Sequence, residues 1–203
     1  MLTIHVAEAS PDLAVAVEGN SIVAVGAPEE LAAARPGARV RRWPGILMPG
    51  LLNPYGPELL EQTYHPDPRE AGELGSEPLT GPAAQAVFGA DEARRGASAR
   101  RGVQRMLAHG TVAVAGQLRN RAVLDAVRRA GLATAGRTEP QPGVPALDPW
   151  ATGRPVVWMP GPAVGGSARF AVFDARDEAE LAELGGGTCV ATVIGGRLVY
   201  RRR

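Results

Sequence analysis

The stretch Pro44-Gly45-Ile46-Leu47-Met48-Pro49-Gly50-Leu51-Leu52-Asn53 sets two Pro-Gly turns around a short apolar run. Proline fixes φ and glycine tolerates turn geometry, so a strand over 46–48 must start and stop abruptly. Upstream, residues 2–6, 13–17, 22–25 and 39–43 are β-rich and apolar. Glu18-Gly19-Asn20 supplies a hairpin turn between the second and third of these. Pro28 followed by Glu29 and Glu30 predicts a short helix over 28–34, which Pro36-Gly37 ends. A small β unit is therefore complete near residue 52.

Downstream, residues 53–89 are rich in Pro, Gly and Glu, and read as a long ordered loop with one brief helix near 83–88. Asp91 offers an N-cap to a helix reaching about His109, with Gly110 as its stop. The five arginines of that helix, Arg94, Arg95, Arg100, Arg101 and Arg105, read as a solvated face. A strand at 111–115, a helix at 120–130 and a strand at 132–135 make a βαβ pattern. Pro and Gly punctuate 151–166. A strand at 170–173, a helix at 178–184 and a hairpin of 189–194 with 197–200, turned by Gly195-Gly196, complete the chain.

The chain has 203 residues and 21.1 kDa, with 45% hydrophobic and only 4% aromatic residues. Its core must therefore be built mainly from small aliphatic side chains. No lysine occurs, so all 22 basic residues are arginine, set against 21 acidic ones for a net charge of +1. That balance creates no general field for an anionic partner, and nucleic acid is not expected. Arg201, Arg202 and Arg203 read as a solvated tail. No apolar run approaches the roughly 18 residues of a membrane span, and Met1-Leu2-Thr3-Ile4-His5 lacks signal-peptide character. A cytoplasmic protein without membrane contact is expected. Cys189, alone in the sequence, reads as a buried, inert thiol.

Ile22-Val23-Ala24-Val25-Gly26, Pro36-Gly37-Ala38 and the 44–53 stretch together resemble the opening of amidohydrolase-superfamily proteins, in particular imidazolonepropionases and aminodeoxyfutalosine deaminases. Ala168-Arg169-Phe170-Ala171-Val172-Phe173-Asp174, with the closing Val190 to Tyr200 segment, is similar to the C-terminal return of the same family. Residues 101–111, with Gly102, Leu107, Gly110 and Thr111, resemble its first barrel helix leading into the second strand. The resemblance implies a mixed α/β (α+β) fold. In it a small composite β-sandwich-like domain comes from both chain ends, residues 1–52 plus 153–203. An α/β fragment of a reduced barrel, residues 53–152, is inserted between them. A complete eight-unit barrel needs about 250 residues, so at most two βα units fit here, and the insert is expected to pack on the composite domain or on a second subunit.

The departures from that pattern bear on function. After Pro-Gly-Leu-Leu-Asn the family places a His-x-His pair that opens its metal site, whereas the matching positions here are Tyr55 and Pro57. The only histidines are His5, His65 and His109, and a bridging carboxylated lysine is excluded. The resemblance therefore implies a degenerate site with no metal, no cofactor and no assignable catalytic residue. The expected protein is a non-catalytic scaffold or accessory subunit, a homo-oligomer or a partner of another protein. One alternative is a small metal-independent hydrolase of non-peptide carbon–nitrogen bonds, with His65, Asp67, Glu58 and Glu61 as an acid/base group. Another is a small-ligand-binding protein with a remnant pocket near Tyr55. Of the remaining features, His109 reads as a helix C-terminal cation and Gly185-Gly186-Gly187 as a connection. Trp43, Trp150 and Trp158 read as core or interface anchors.

Overall fold

The computed structural model describes residues 1–137, 139 and 141–202. The chain opens with β1 (Leu2–Ala7), β2 (Ala14–Glu18), β3 (Ser21–Gly26), α1 (Pro28–Ala34), β4 (Arg39–Trp43), β5 (Ile46–Pro49) and β6 (Leu51–Asn53). The middle adds α2 (Gly56–Leu60), α3 (Ala71–Leu74), α4 (Gly81–Phe88), α5 (Glu92–Leu107), β7 (Thr111–Ala115), α6 (Arg121–Ala130) and β8 (Ala133–Ala135). The chain then runs through β9 (Val157–Trp158), β10 (Arg169–Phe173), α7 (Glu178–Leu184), β11 (Cys189–Ile194) and β12 (Arg197–Arg201). The fold is mixed α/β, and no sheet closes into a barrel among the described residues. No helix among those residues is long and apolar enough to cross a membrane.

Three four-stranded sheets form. The first has the order β3-β2-β1-β4, antiparallel except for the β1–β4 pair, which the α1 crossover makes parallel. Pro28 at the first turn and Glu29 and Glu30 beside it start α1, and its one buried side chain, Leu31, joins Ile4, Val6, Ala14 and Ala16. The second sheet, β12-β11-β10-β5, pairs the opening stretch with the far end of the chain, Met48 opposite Ala171. One apolar cluster joins the first two sheets, with Val15, Val17, Ile22 and Trp43 on one side and Phe170, Val172 and Val193 on the other. Gly45 explains the first Pro-Gly turn: its φ is +72° and a Cβ there would stand 1.9 Å from the Phe173 carbonyl oxygen. Any side chain would break the β5–β10 junction.

The third sheet, β8-β7-β6-β9, is parallel across β6, β7 and β8, with β9 antiparallel at the edge. Residues 51–52 and 157–158, read from the sequence with the terminal β unit, sit in this sheet. Its fully buried strand β7 is covered by α5 and α6 through Val103, Met106, Leu107, Val123 and Val127. Its other side meets the second sheet through Leu51, Met48 and Phe173. Two polar ties reinforce that contact: Thr192 Oγ1 donates to the Leu107 carbonyl at 2.7 Å and Arg169 donates to that of Gly131 at 2.7 Å.

Three expectations change. Residues 53–89 carry α2, α3, α4 and a 3₁₀ turn at Pro68–Glu70 rather than one brief helix. Pro57, Pro68 and Pro82 stand at helix starts, where the missing N–H has no partner to lose; in sequence they read as loop punctuation. The α5 arginines are exposed or half-buried, as a solvated face would be, but they do more than face solvent, since four of the five bind carbonyls of the preceding segment. Arg94 donates to Val87, Arg95 to Gly89, Arg101 to His65 and Arg105 to Ser76, at 3.3, 3.2, 2.7 and 2.8 Å. The arginine tail is also structured. Arg201 ends β12 with its guanidinium 5.8 Å from the Trp43 ring, and Arg202 donates to the Gly187 carbonyl. Arg203 lies outside the described residues.

Candidate functional site

The C-terminal ends of parallel strands are where α/β proteins usually place ligands, and here β6 ends in Asn53. Asn53 is fully buried; its Oδ1 accepts the Tyr55 N–H at 3.0 Å and its Nδ2 donates to the Ala146 carbonyl at 2.9 Å. Tyr55, also buried, donates its hydroxyl to the Pro142 carbonyl at 2.7 Å. Both side chains thus fasten a strap of chain at 142–147 over the strand end. Pro57 opens α2 and packs on Gly116, just past β7. Arg137, just past β8, donates to the Pro54 carbonyl at 2.5 Å and pairs with Glu58 through Nη2 to Oε1 at 2.6 Å and Nη1 to Oε2 at 3.4 Å. The strand ends are therefore closed by a tyrosine tether, a proline and a fork-like ion pair.

These residues do not fit a metal. Proline offers no donor, and the Tyr55 hydroxyl is occupied by a carbonyl that it can bind only as the neutral phenol. Among the described residues no three His, Cys, Asp or Glu side chains converge. The three histidines stand in separate places. His5 sits on β1 of the first sheet, stacked on Trp43, whose Nε1 donates to its Nδ1 at 3.3 Å. His109 lies just beyond α5, its Nδ1 3.8 Å from Asp148 Oδ2. Burial lowers the His109 pKa against the opposing pull of Asp148, so it is not the helix-end cation that the sequence suggested.

His65 is fully buried beneath α5. Its Nε2 lies 2.8 Å from the Leu59 carbonyl, which fixes the proton there, and its backbone N–H donates to Ser98 Oγ at 2.9 Å. Gly102 makes room for the ring, since a Cβ at that position would stand 2.6 Å from Nε2. Burial, ahead of all other causes, lowers the pKa of His65 to about 4, leaving a neutral imidazole whose buried Nδ1 has no partner among the described residues.

The carboxylates proposed to work with His65 are engaged elsewhere. Asp67 caps the 3₁₀ turn and meets Arg101 at 3.3 Å, and Glu58 pairs with Arg137 at 2.6 Å. Glu61 Oε1 accepts the N–H groups of Arg119 and Asn120 at 2.6 Å each, at the entry to α6. The sequence placed these residues together by proximity along the chain. The structure instead gives each a separate task.

A cleft of about 490 Å³ lies between α2 and the strap. Leu59, Pro78, Pro145 and Leu147 give it apolar walls, Gln62, Thr63 and Thr80 line it with neutral polar groups, and Glu58 and the buried His65 complete it. Tyr55, beside which the sequence suggested a remnant pocket, does not line this cleft but holds its strap; the sequence missed the strap and Arg137. Their contacts span 79 to 93 residues, and no local pattern marks them.

Other singled-out features are structural. Trp150, Trp158 and Phe173 meet edge to face with centroids 5.8 to 6.1 Å apart, and Trp43 is buried. Gly185 to Gly187 follow α7 and enter a short 3₁₀ turn. Burial pushes the Cys189 thiol up to about 11, which suppresses its thiolate.

No protein-family model and no curated protein matches the chain. Among solved structures it is similar to N-isopropylammelide isopropylaminohydrolase from Burkholderia multivorans, at 20% identity over 71% of this chain and 39% of that one, with a TM-score of 0.43. It is similar to an adenosine deaminase from Xanthomonas campestris, at 20% identity over 66% and 32% of the two chains, with a TM-score of 0.38. It is also similar to guanine deaminase from Bradyrhizobium japonicum, at 18% identity over 61% and 27%, with a TM-score of 0.38. The match spans less than two fifths of the length of each of these three chains.

Proposed function

We propose that this protein is a catalytically degenerate, amidohydrolase-like protein that acts by binding rather than by turnover. In this reading residues 1–52 and 153–203, less the 51–52 and 157–158 strands that pair in the third sheet, form a composite sandwich that serves as the framework, and 53–152 is the insert it carries. The protein is cytoplasmic and works as a homo-oligomer or as the accessory subunit of another protein. The observation that carries the reading is the closure of the β6, β7 and β8 ends by Tyr55, Pro57 and the Arg137–Glu58 pair. Proline carries no donor, the Tyr55 hydroxyl is engaged by a carbonyl and Glu58 is paired with Arg137, which supports a site without a metal ligand or a free base.

The alternative of a metal-independent hydrolase has less support. A general base must be able to reach its substrate and accept a proton near neutral pH. His65 is fully buried with a pKa lowered to about 4, and Asp67, Glu58 and Glu61 are committed to Arg101, Arg137 and the start of α6. Small-ligand binding is favoured by a specific observation, the cleft of about 490 Å³ beside the strap. The test is ammonia release from a panel of amides and aminated heterocycles, with and without added zinc. No release above a protein-free control is expected. Release that disappears in His65→Ala, with the variant still folded, would overturn the proposal.

A further inference from the structure

We infer that the cleft between α2 and the 142–147 strap is a binding site for a small, uncharged, mainly apolar molecule carrying a hydrogen-bond donor and acceptor side by side, as a primary amide does. The inference deepens the ligand-binding side of the proposed function and rests on it only in expecting the ligand to leave unchanged. Size is the first argument. A volume of about 490 Å³ falls within the roughly 300–1,000 Å³ of small-molecule sites, and the walls of Leu59, Pro78, Pro145 and Leu147 are apolar. Preformation is the second. The strap is held by Tyr55 to the Pro142 carbonyl, by Asn53 to the Ala146 carbonyl, and by the Val144 N–H to the Thr152 carbonyl, at 2.7, 2.9 and 3.1 Å. A wall fixed before binding costs little further ordering when a ligand arrives.

Charge decides the ligand class. Glu58 is the one acidic lining group and lies 2.6 Å from Arg137, so its charge is already matched. His65, buried behind the wall, is neutral at pH 7. A cation or anion entering would shed hydration without gaining a counter-charge. The remaining polar groups both donate and accept. Gln62 presents a carboxamide, and the Thr80 hydroxyl makes no capping bond to α4 although it stands at the N-cap. A primary amide complements that pair.

Three probes of one shape and different charge test this: benzamide, benzoate and benzamidinium. Binding is read by ligand-observed saturation-transfer NMR on the full chain. Benzamide is expected to bind saturably, with a dissociation constant on the order of 1 mM and at least about fivefold more tightly than either ion. Gln62→Trp and Thr80→Trp fill the mouth from two exposed positions, and each should weaken benzamide about tenfold or more while circular dichroism stays that of the wild type. Equal binding of either ion, unchanged binding in both folded variants, or no saturable binding of benzamide would overturn the inference. Conversion of bound benzamide to benzoate and ammonia, lost in both variants, would support this site and overturn the non-catalytic reading instead.

Discussion

His5 and His65 carry the clearest residue-scale consequence. Each is buried, and in each burial lowers the pKa from 6.5 to about 4. Between those two values the unfolded chain binds a proton at each ring that the folded chain does not. The folded state therefore loses stability as pH falls from about 6.5 towards 4, and each ring contributes on the order of 2–3 kcal/mol to the loss. His109 adds to the trend in the same direction, since burial lowers its pKa too. Urea melts at pH 7 and pH 4.5 are expected to show a fall of several kcal/mol, reduced in His65→Asn. A stability equal at both pH values would contradict the buried, neutral placement of these rings.

At the scale of elements, much of the fold is legible in the sequence. The hairpin turns, the Asp91 cap on α5 and the Asn120 start of α6 are local signals, and the structure bears them out: Asp91 Oδ1 accepts the Arg94 N–H at 2.9 Å and Asn120 Oδ1 that of Ala122 at 2.9 Å. The strand at β5 is legible because its boundaries are Pro-Gly turns. What escapes is what depends on partners far along the chain. The α5 arginines look solvated by helical periodicity, yet their guanidinium groups satisfy carbonyls of the segment before the helix, which forms few ladder bonds of its own. The site divides the same way, since Tyr55 and Pro57 are visible in sequence as residues that offer a metal no ready donor, whereas the strap that Tyr55 holds is not. Arg101 has three contacts, the His65 carbonyl at 2.7 Å, Asp67 at 3.3 Å and the Tyr64 ring at 5.8 Å. Arg101→Met keeps much of its stem packing but removes these contacts. It is expected to cost about 1–3 kcal/mol and to raise proteolysis within 66–90 selectively. Cleavage no faster than in the wild type would show that the arginines are not what holds this segment.

At the scale of the whole molecule, three sheets share one chain whose two ends meet in the second of them. The third sheet packs on that junction through Leu51, Met48 and Phe173, and its strand ends hold a tether, a proline and an ion pair. The account therefore stands on metal content, measured by mass spectrometry on untagged protein purified without chelators. Well under one tenth of an ion per chain is expected for zinc, iron and manganese alike, in protein that is folded by circular dichroism. Close to one tightly held ion per folded chain would contradict the account.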